Sequence, residues 1–386
     1  MPPAPRIAVA VAGLLIAIVA GGCGSSPVER TGARPETLVA ADAGPATTTP
    51  AVATGSTGPT TVPVPPPPLV LLDTDLGSDI DDALALAMLH GYEDRGLVEL
   101  ASVTISRDSE TAARYADTLN TLLGHPGLPV GIDRSATYFW ADADSYVSLV
   151  GEMRVPGAAA EPAPDAVPVL RRALARAVEQ DRRTLVVQVG FSGNLAALLE
   201  SGPDGISPRT GEELVAASGA LLSIMAGSFD ADGRPIHVEF NVKHDIEAAR
   251  RLVAGWPGEV VISPFELGDD LHVPYAAIRD GLPGGSPGQT HPIRRAYEFQ
   301  DLEWHRDAPP FYDMKSWDLT SVLQAVEPEA GWFPISSPGT VTVDGDGRTT
   351  FVAGPGRHRI LLAHQLTDGQ REAAIGRMVE LITVPA

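Results

Sequence analysis

Apolar and polar positions alternate on two length scales along this chain. Short apolar runs, "LVLLD" at 69–73, "ELASVTIS" at 99–106, "LPVGI" at 128–132, "TLVVQVG" at 184–190, "ALLSIMAG" at 220–227 and "EVVIS" at 259–263, read as buried strands. Between them lie stretches with apolar residues every three or four positions, which read as helices: "DIDDALALAMLHGYEDRG", "SETAARYADTLNTLLG", "DAVPVLRRALARAVEQ", "NLAALLE" and "DIEAARRLVAG". Strands alternating with helices predict an α/β fold, an open and mostly parallel sheet with helices on both faces. In such sheets ligands bind beyond the carboxyl ends of the strands. Near the C-terminus "TVTVDGDGRTTFV" and "RHRILLAHQL" predict a small antiparallel addition, then a last helix from Asp368.

The front of the chain breaks this pattern. "MPPAPRIAVAVAGLLIAIVAGGCGSS" carries one Arg6, an apolar run over residues 7–20, and small residues leading to Cys23, which reads as an export signal over 1–23. Cys23 is the only cysteine, so it forms no intramolecular disulfide. Its "AGGC" context resembles the lipobox of bacterial lipoproteins, with Ala20 where Leu is commonest. That resemblance implies lipidation at Cys23 and an extracytoplasmic, lipid-anchored protein; an ordinary secretory signal is the alternative. Residues 24–68 are rich in Pro, Thr and Ala and end in "PVPPPP". Such a segment buries too little apolar surface to offset its ordering entropy, so it reads as a disordered tether. The folded unit is expected over 69–386, and with 44% hydrophobic residues in 386 the chain can build a large core.

The formal net charge of −21 argues against a nucleic-acid surface, and leaves the lipid anchor as the only expected membrane contact. Much of the interest lies in one acidic burst, "DTDLGSDIDD", where Asp73, Asp75, Asp79, Asp81 and Asp82 follow the first strand and open the first helix. Like charges this close require a cation, a hydrogen-bond network or open water. Carboxylates without Cys or His nearby suit a hard cation, and a flexible loop suits Ca²⁺ better than octahedral Mg²⁺. One or two of the acids could instead cap the helix.

"DTDLG" followed by "DDALAL" resembles the signature of the nucleoside hydrolases, the Ca²⁺-dependent N-ribohydrolases, with Ser78, Asp79 and Ile80 making the loop about two residues longer than the family's simplest form. Three further segments match in order: "VVQVGFSGNLAALLE", "VEFNVKHDIEAAR" and "SWDLTSVLQAV". The resemblance implies hydrolysis of the N-glycosidic bond of a ribonucleoside or related ribosyl compound. It implies Ca²⁺ held by Asp75, Asp82, Asp318 and the Gly193 carbonyl, with Asp75 also the general base. Asp81, Glu239 and Asn241 would grip the ribose and Trp317 would touch substrate, with Asp73, Asp79 and Asn194 as motif support. It leaves a homo-oligomer open.

Two departures stand out. Trp317 occupies the place of a His that helps protonate the leaving base in the well-known family members, and no Asn stands near Asp232, Gly233 and Arg234. An aromatic-rich segment, "YEFQDLEWHRDAPPFYDMKSW", offers His305 as a replacement acid and rings to hold a base; the plainer reading is a satellite core. His237 and His244 are weaker candidates, and Asp108 reads as an exposed helix cap. Two other functions compete. A haloacid-dehalogenase-type phosphatase also ends its first strand in Asp-x-Asp, but expects Thr or Val where Gly77 stands. A catalytically impaired nucleoside-binding lipoprotein would keep the calcium site and lose the chemistry.

Overall fold

Six consecutive buried residues, Leu69–Thr74, form the first strand, β1, of the computed structural model. The structure describes residues 65–138, 141–153, 155–158, 162–282, 291–304 and 312–383, with 301–304 as backbone alone. The export signal, Cys23 and the tether up to residue 64 lie outside these. Pro67, just before β1, has its carbonyl held by the Arg182 guanidinium.

The alternation read from sequence becomes β1, α1 (Asp81–Asp94), β2 (Glu99–Ile105), α2 (Glu110–Leu122), β3 (Val130–Ile132), α3 (Ala166–Glu179), β4 (Thr184–Gln188), α4 (Gly193–Glu200), α5 (Gly211–Ser218), β5 (Leu221–Met225), α6 (Phe240–His244), α7 (Ile246–Gly255) and β6 (Val260–Ser263). Then follow α8 (Phe265–Asp270), β7 (His272–Val273), α9 (Tyr275–Gly281), α10 (Pro292–Trp304), β8 (Met314–Lys315), α11 (Trp317–Val326), β9 (Gly339–Val343), β10 (Thr349–Ala353), β11 (His358–Ile360) and α12 (Asp368–Thr383).

Among the described residues nine strands form one sheet in the order β10-β9-β11-β6-β5-β4-β1-β2-β3, and β7 and β8 make a separate two-stranded ribbon. All pairs from β3 to β11 are parallel. The C-terminal addition is antiparallel, as its pattern predicts, yet it is part of the main sheet: β9 pairs with β10, and β11 runs parallel to β6.

From β1 the chain moves outward through β2 and β3, then returns to pair β4 on the other side. The carboxyl ends of β1 and β4 therefore flank the point where the sheet reverses direction, which is where open sheets leave a crevice.

Strand parity decides what each β1 residue meets. Val70 and Leu72 join the core with α1, α11 and α12, while Leu69 and Leu71 join the core with α3, α4 and α7. The same parity sends Asp73 toward α4, where Asn194 Nδ2 donates to its Oδ1 at 2.7 Å. It sends Thr74 toward α1, where its hydroxyl donates to Asp82. Helix α1 is buried from Asp81 to Tyr92, because α11 and α12 cover what the sheet leaves open.

One close approach holds the two strand ends together. A Cβ on Gly190, just beyond β4, would run into the Asp75 nitrogen, the Ser106 hydroxyl and the Thr74 carbonyl carbon. Gly190→Ala should therefore cost about 1–3 kcal/mol in urea unfolding by overpacking. The displaced backbone carries Asp75, so the same variant should also shift the acids at the end of β1.

Candidate active site

The acid burst is a buried cluster. Asp75, Asp79, Asp81, Asp82 and Asp318 line one cavity of about 210 Å³ together with Glu239, Asn241, Val189 and the walls Met225, Phe240, Phe265 and Trp317. No lysine or arginine is among its lining residues. Asp81, Asp82 and Asp318 are buried and each offers an oxygen within 4.8 Å of the others.

Helix capping does not explain the acids. The residue that caps α1 is Ile80, and no side chain caps this end. Gly77 makes the turn at φ +110°, a conformation that disfavours any β-branched residue. The Thr or Val expected by the phosphatase reading would be strained there. Around the turn, Tyr146 accepts from Gly77 N at 3.1 Å and donates to Asp79 O at 3.0 Å.

Hydrogen bonds fix the carboxylates without neutralising them. Ser78 Oγ donates to Asp75 Oδ2 at 2.9 Å. From the far end of the chain, Asp318 N donates to Asp81 Oδ2 at 3.2 Å, which closes the cluster. Burial and then neighbouring carboxylates hold Asp82, Asp318 and Asp81 well above the ordinary carboxylate range. Burial also raises Asp75, against the pull of the Arg107 guanidinium. Asp79 is pushed up to about 6 by burial and by Asp75. Carboxyls in this state favour either a proton or a cation. An all-oxygen donor set of this kind fits a hard divalent ion.

Glu239 and Asn241 act through the short helix α6. Glu239 caps it, accepting from Asn241 N at 2.8 Å and Val242 N at 3.1 Å. Asn241 Nδ2 donates to Val189 O at 3.0 Å and Met225 O at 3.3 Å, which leaves its Oδ1 for a sugar hydroxyl.

Burial raises Glu239 from 4.5 to about 7, against those N–H donors. A raised folded pKa means that its stability contribution is complete below the unfolded value and is lost as pH rises through about 7. In calcium-chelated protein, Glu239→Gln keeps the acceptor oxygen and removes the titration. Its stability should fall less than that of wild type between about pH 5 and pH 8, by on the order of 3 kcal/mol, in urea melts across pH.

Other expected site residues fall as follows. Asp73 lies behind the cavity, its Oδ1 accepting from Thr104 Oγ1 at 2.6 Å as well as from Asn194. Burial pushes it up to about 7. Gly193 is not among the lining residues: a Cβ there would face the carboxylates of Asp133 and Asp245. Val189, four residues earlier, lines the cavity instead.

Trp317 opens α11, lines the cavity, and donates Nε1–H to Phe265 O at 3.1 Å. Tyr297 is buried against Tyr275, so the satellite-core reading holds for that ring. His305 lies outside the described residues. Asp108 is exposed and the α2 cap is Ser109, so Asp108 is not that cap. His244 does stand near the rim. Its ring lies 4.4 Å from Phe240 and 4.0 Å from Tyr138. Burial and then Lys243 lower its pKa, which favours the neutral imidazole. His237 stacks edge-on at 4.7 Å on the outer side of Phe265 and does not line the cavity.

A family model described as inosine-uridine preferring nucleoside hydrolase matches residues 70–378, a span that includes both acid-bearing ends of the cavity. The chain belongs to this family. As a nucleoside hydrolase it is a hydrolase acting on N-glycosyl bonds, from a metal-dependent family.

Solved structures agree on the fold. A plant nucleoside hydrolase, PpNRh1, superposes with a TM-score of 0.59 at 20% identity, covering 83% of this chain and 100% of its own. The purine-preferring ribonucleoside hydrolase of Gardnerella vaginalis gives 0.59 at 18%, with 82% and 99% covered. The inosine-uridine preferring enzyme of Bacillus anthracis gives 0.57 at 17%, with 81% and 99% covered. No curated protein matches the chain by sequence.

Proposed function

We propose that this nucleoside hydrolase is a Ca²⁺-dependent N-ribohydrolase that releases base and ribose from ribonucleosides or a related ribosyl compound. The observation that carries the reading is the cavity in which five aspartates converge without a lysine or arginine among the lining residues. Asp75, Asp82 and Asp318 would hold the cation, with a backbone carbonyl of the segment from Val189 to Gly193 completing the set, that of Gly193 as the family resemblance implies. When bound, such a cation supplies Lewis acidity that lowers the pKa of a water.

Asp75 then takes the water proton at its carboxylate, which Ser78 orients. Asp81, Glu239 and the Asn241 Oδ1 accept from ribose hydroxyls and hold the sugar while its bond to the base lengthens. Phe240 and Trp317 wall the side where the base departs. Among the described residues no histidine lines the cavity, so the rim offers aromatic contact in place of the family's His.

Reducing-sugar release from a panel of purine and pyrimidine nucleosides, with and without calcium chelation, tests the reading. Calcium-dependent release supports it and ranks the bases. Calcium binding with no release from any nucleoside would favour the second reading, a nucleoside-binding lipoprotein. Lipidation at Cys23 and an extracytoplasmic location belong to the same proposal, and incorporation of a labelled fatty acid that is lost in Cys23→Ala checks them.

A further inference from the structure

A second cluster of ligand-type side chains lies at the opposite end of α1 from the acid cavity. His90 and Glu93 sit one turn apart on α1, and His125 reaches them from the turn after α2; each offers a ligand atom within 4.8 Å of the others. Eight residues of helix separate Asp82 from His90, or about 12 Å of rise, so this cluster is distinct from the proposed calcium site.

The hydrogen bonds assign the ring protons. His90 Nε2 meets Asn120 Oδ1 at 2.8 Å, and His125 Nε2 meets Asp94 Oδ1 at 3.0 Å. Both partners are acceptors, so both Nε2 atoms donate and each neutral ring keeps its lone pair on Nδ1. The two Nδ1 atoms face the same oxygen, Glu93 Oε2, at 3.5 Å from His90 and 3.1 Å from His125. Glu93 is itself held in place by Leu100 N, which donates to its Oε1 at 3.2 Å.

The two rings stack with centroids 4.4 Å and planes 17° apart, so their Nδ1 lone pairs lie side by side next to the Glu93 carboxylate, and three acceptors this close repel unless they share a cation. A proton on His125 would pair that ring with Glu93 and still leave His90 Nδ1 bare. That atom is buried without a hydrogen-bond partner, on a side chain that is 1% exposed. A divalent ion satisfies all three atoms at once.

The Nδ1–Oε2 distances are close to those around such an ion, and a turn of the partly exposed His125 ring out of its stack on His90 brings its lone pair into line. Metal–ligand bonds of about 2.0–2.2 Å around a tetrahedral ion place ligand atoms about 3.3–3.5 Å apart. Asn120 and Asp94 are the outer partners that ligating histidines typically have on their second nitrogen. Two nitrogens and one carboxylate oxygen favour Zn²⁺ over Ca²⁺.

We propose that His90, Glu93 and His125 form a zinc-type site that pins the C-terminal end of α1 to the turn after α2. Such an ion would have an open fourth position, and Glu93 and His125 line a groove of about 740 Å³ with the cations Arg114, Arg172 and Arg176. Water or a small anion suits that position.

Titration of the full-length, calcium-saturated protein with Zn²⁺, followed by calorimetry, and with Co²⁺, followed by its visible absorption, tests the site. The expected result is one equivalent bound, an intense tetrahedral Co²⁺ band, and at least a hundredfold weaker binding in both His125→Ala and Glu93→Gln. Asp82→Asn should leave this binding unchanged. His125 is partly exposed, so its variant keeps the core intact, and a circular dichroism melt verifies folding. Absence of binding would overturn the proposal, as would binding that persists in both ligand variants.

Discussion

Asp75→Asn should lower nucleoside turnover by about 10³-fold while the protein stays folded. The reason lies in what the substitution keeps and removes. Asn has the same shape, and its oxygen can still accept from Ser78 Oγ, so the loop around Gly77 keeps its geometry. What disappears is the carboxylate base that Ser78 orients, together with one charge of the ligand set. The loss should appear in kcat far more than in KM, because Asp81, Glu239 and Asn241 still hold the sugar. Unfolding measured in calcium-chelated protein should be no easier than in wild type, since one of several repelling carboxylates has been neutralised. A variant that retains more than a tenth of wild-type kcat would remove Asp75 from the role of base.

The second large effect is thermal. The buried aspartates repel one another in the metal-free state, so calcium binding and folding are linked. At a concentration of about 100 times Kd the ion adds about 2.7 kcal/mol. For a folded unit of this size that corresponds to a rise of roughly 4 °C in Tm.

Asp82→Asn should abolish this increment and, at the same time, raise the Tm of the chelated protein. Asp82 is fully buried, and Asp75 and Asp81 are the neighbours that raise its energy. Differential scanning calorimetry with and without chelator on both proteins gives all four values. If chelation leaves the wild-type Tm unchanged, the cluster is held by protons and the cation reading fails. A merely structural Asp82 would lower the chelated Tm on substitution, so the sign of that change separates the two roles.

Much of this arrangement was legible because it depends on local rules. Short continuous apolar runs and period-3.6 patterns gave the parallel strands and their helices. Strand parity placed Asp73 and Thr74 on opposite faces, and the acids at the end of β1 had to lie at the edge of the sheet. The unread parts depend on distant pairing. Gly193 matched a motif in the right order, yet the motif does not say which residue of the β4 exit lines the cavity, and that residue is Val189. The strands β9 to β11 read as a separate addition, because only the pairing of His358–Ile360 with β6 joins them to the main sheet. Asp79 looked like surplus from a longer loop and is part of the lining. Tyr146, in a stretch with no recognisable pattern, supports the loop from below.

The hydrogen bond from Asp318 to Asp81 spans 237 positions of sequence. During synthesis the loop after β1 emerges early, while its closing partner is still to be made, so the carboxylates wait in water with no enclosed site. Loop closure over such a distance comes late in folding. The acid cluster is thus left open during synthesis until α11 docks against α1, which makes cation capture a late event that reports completion of the fold.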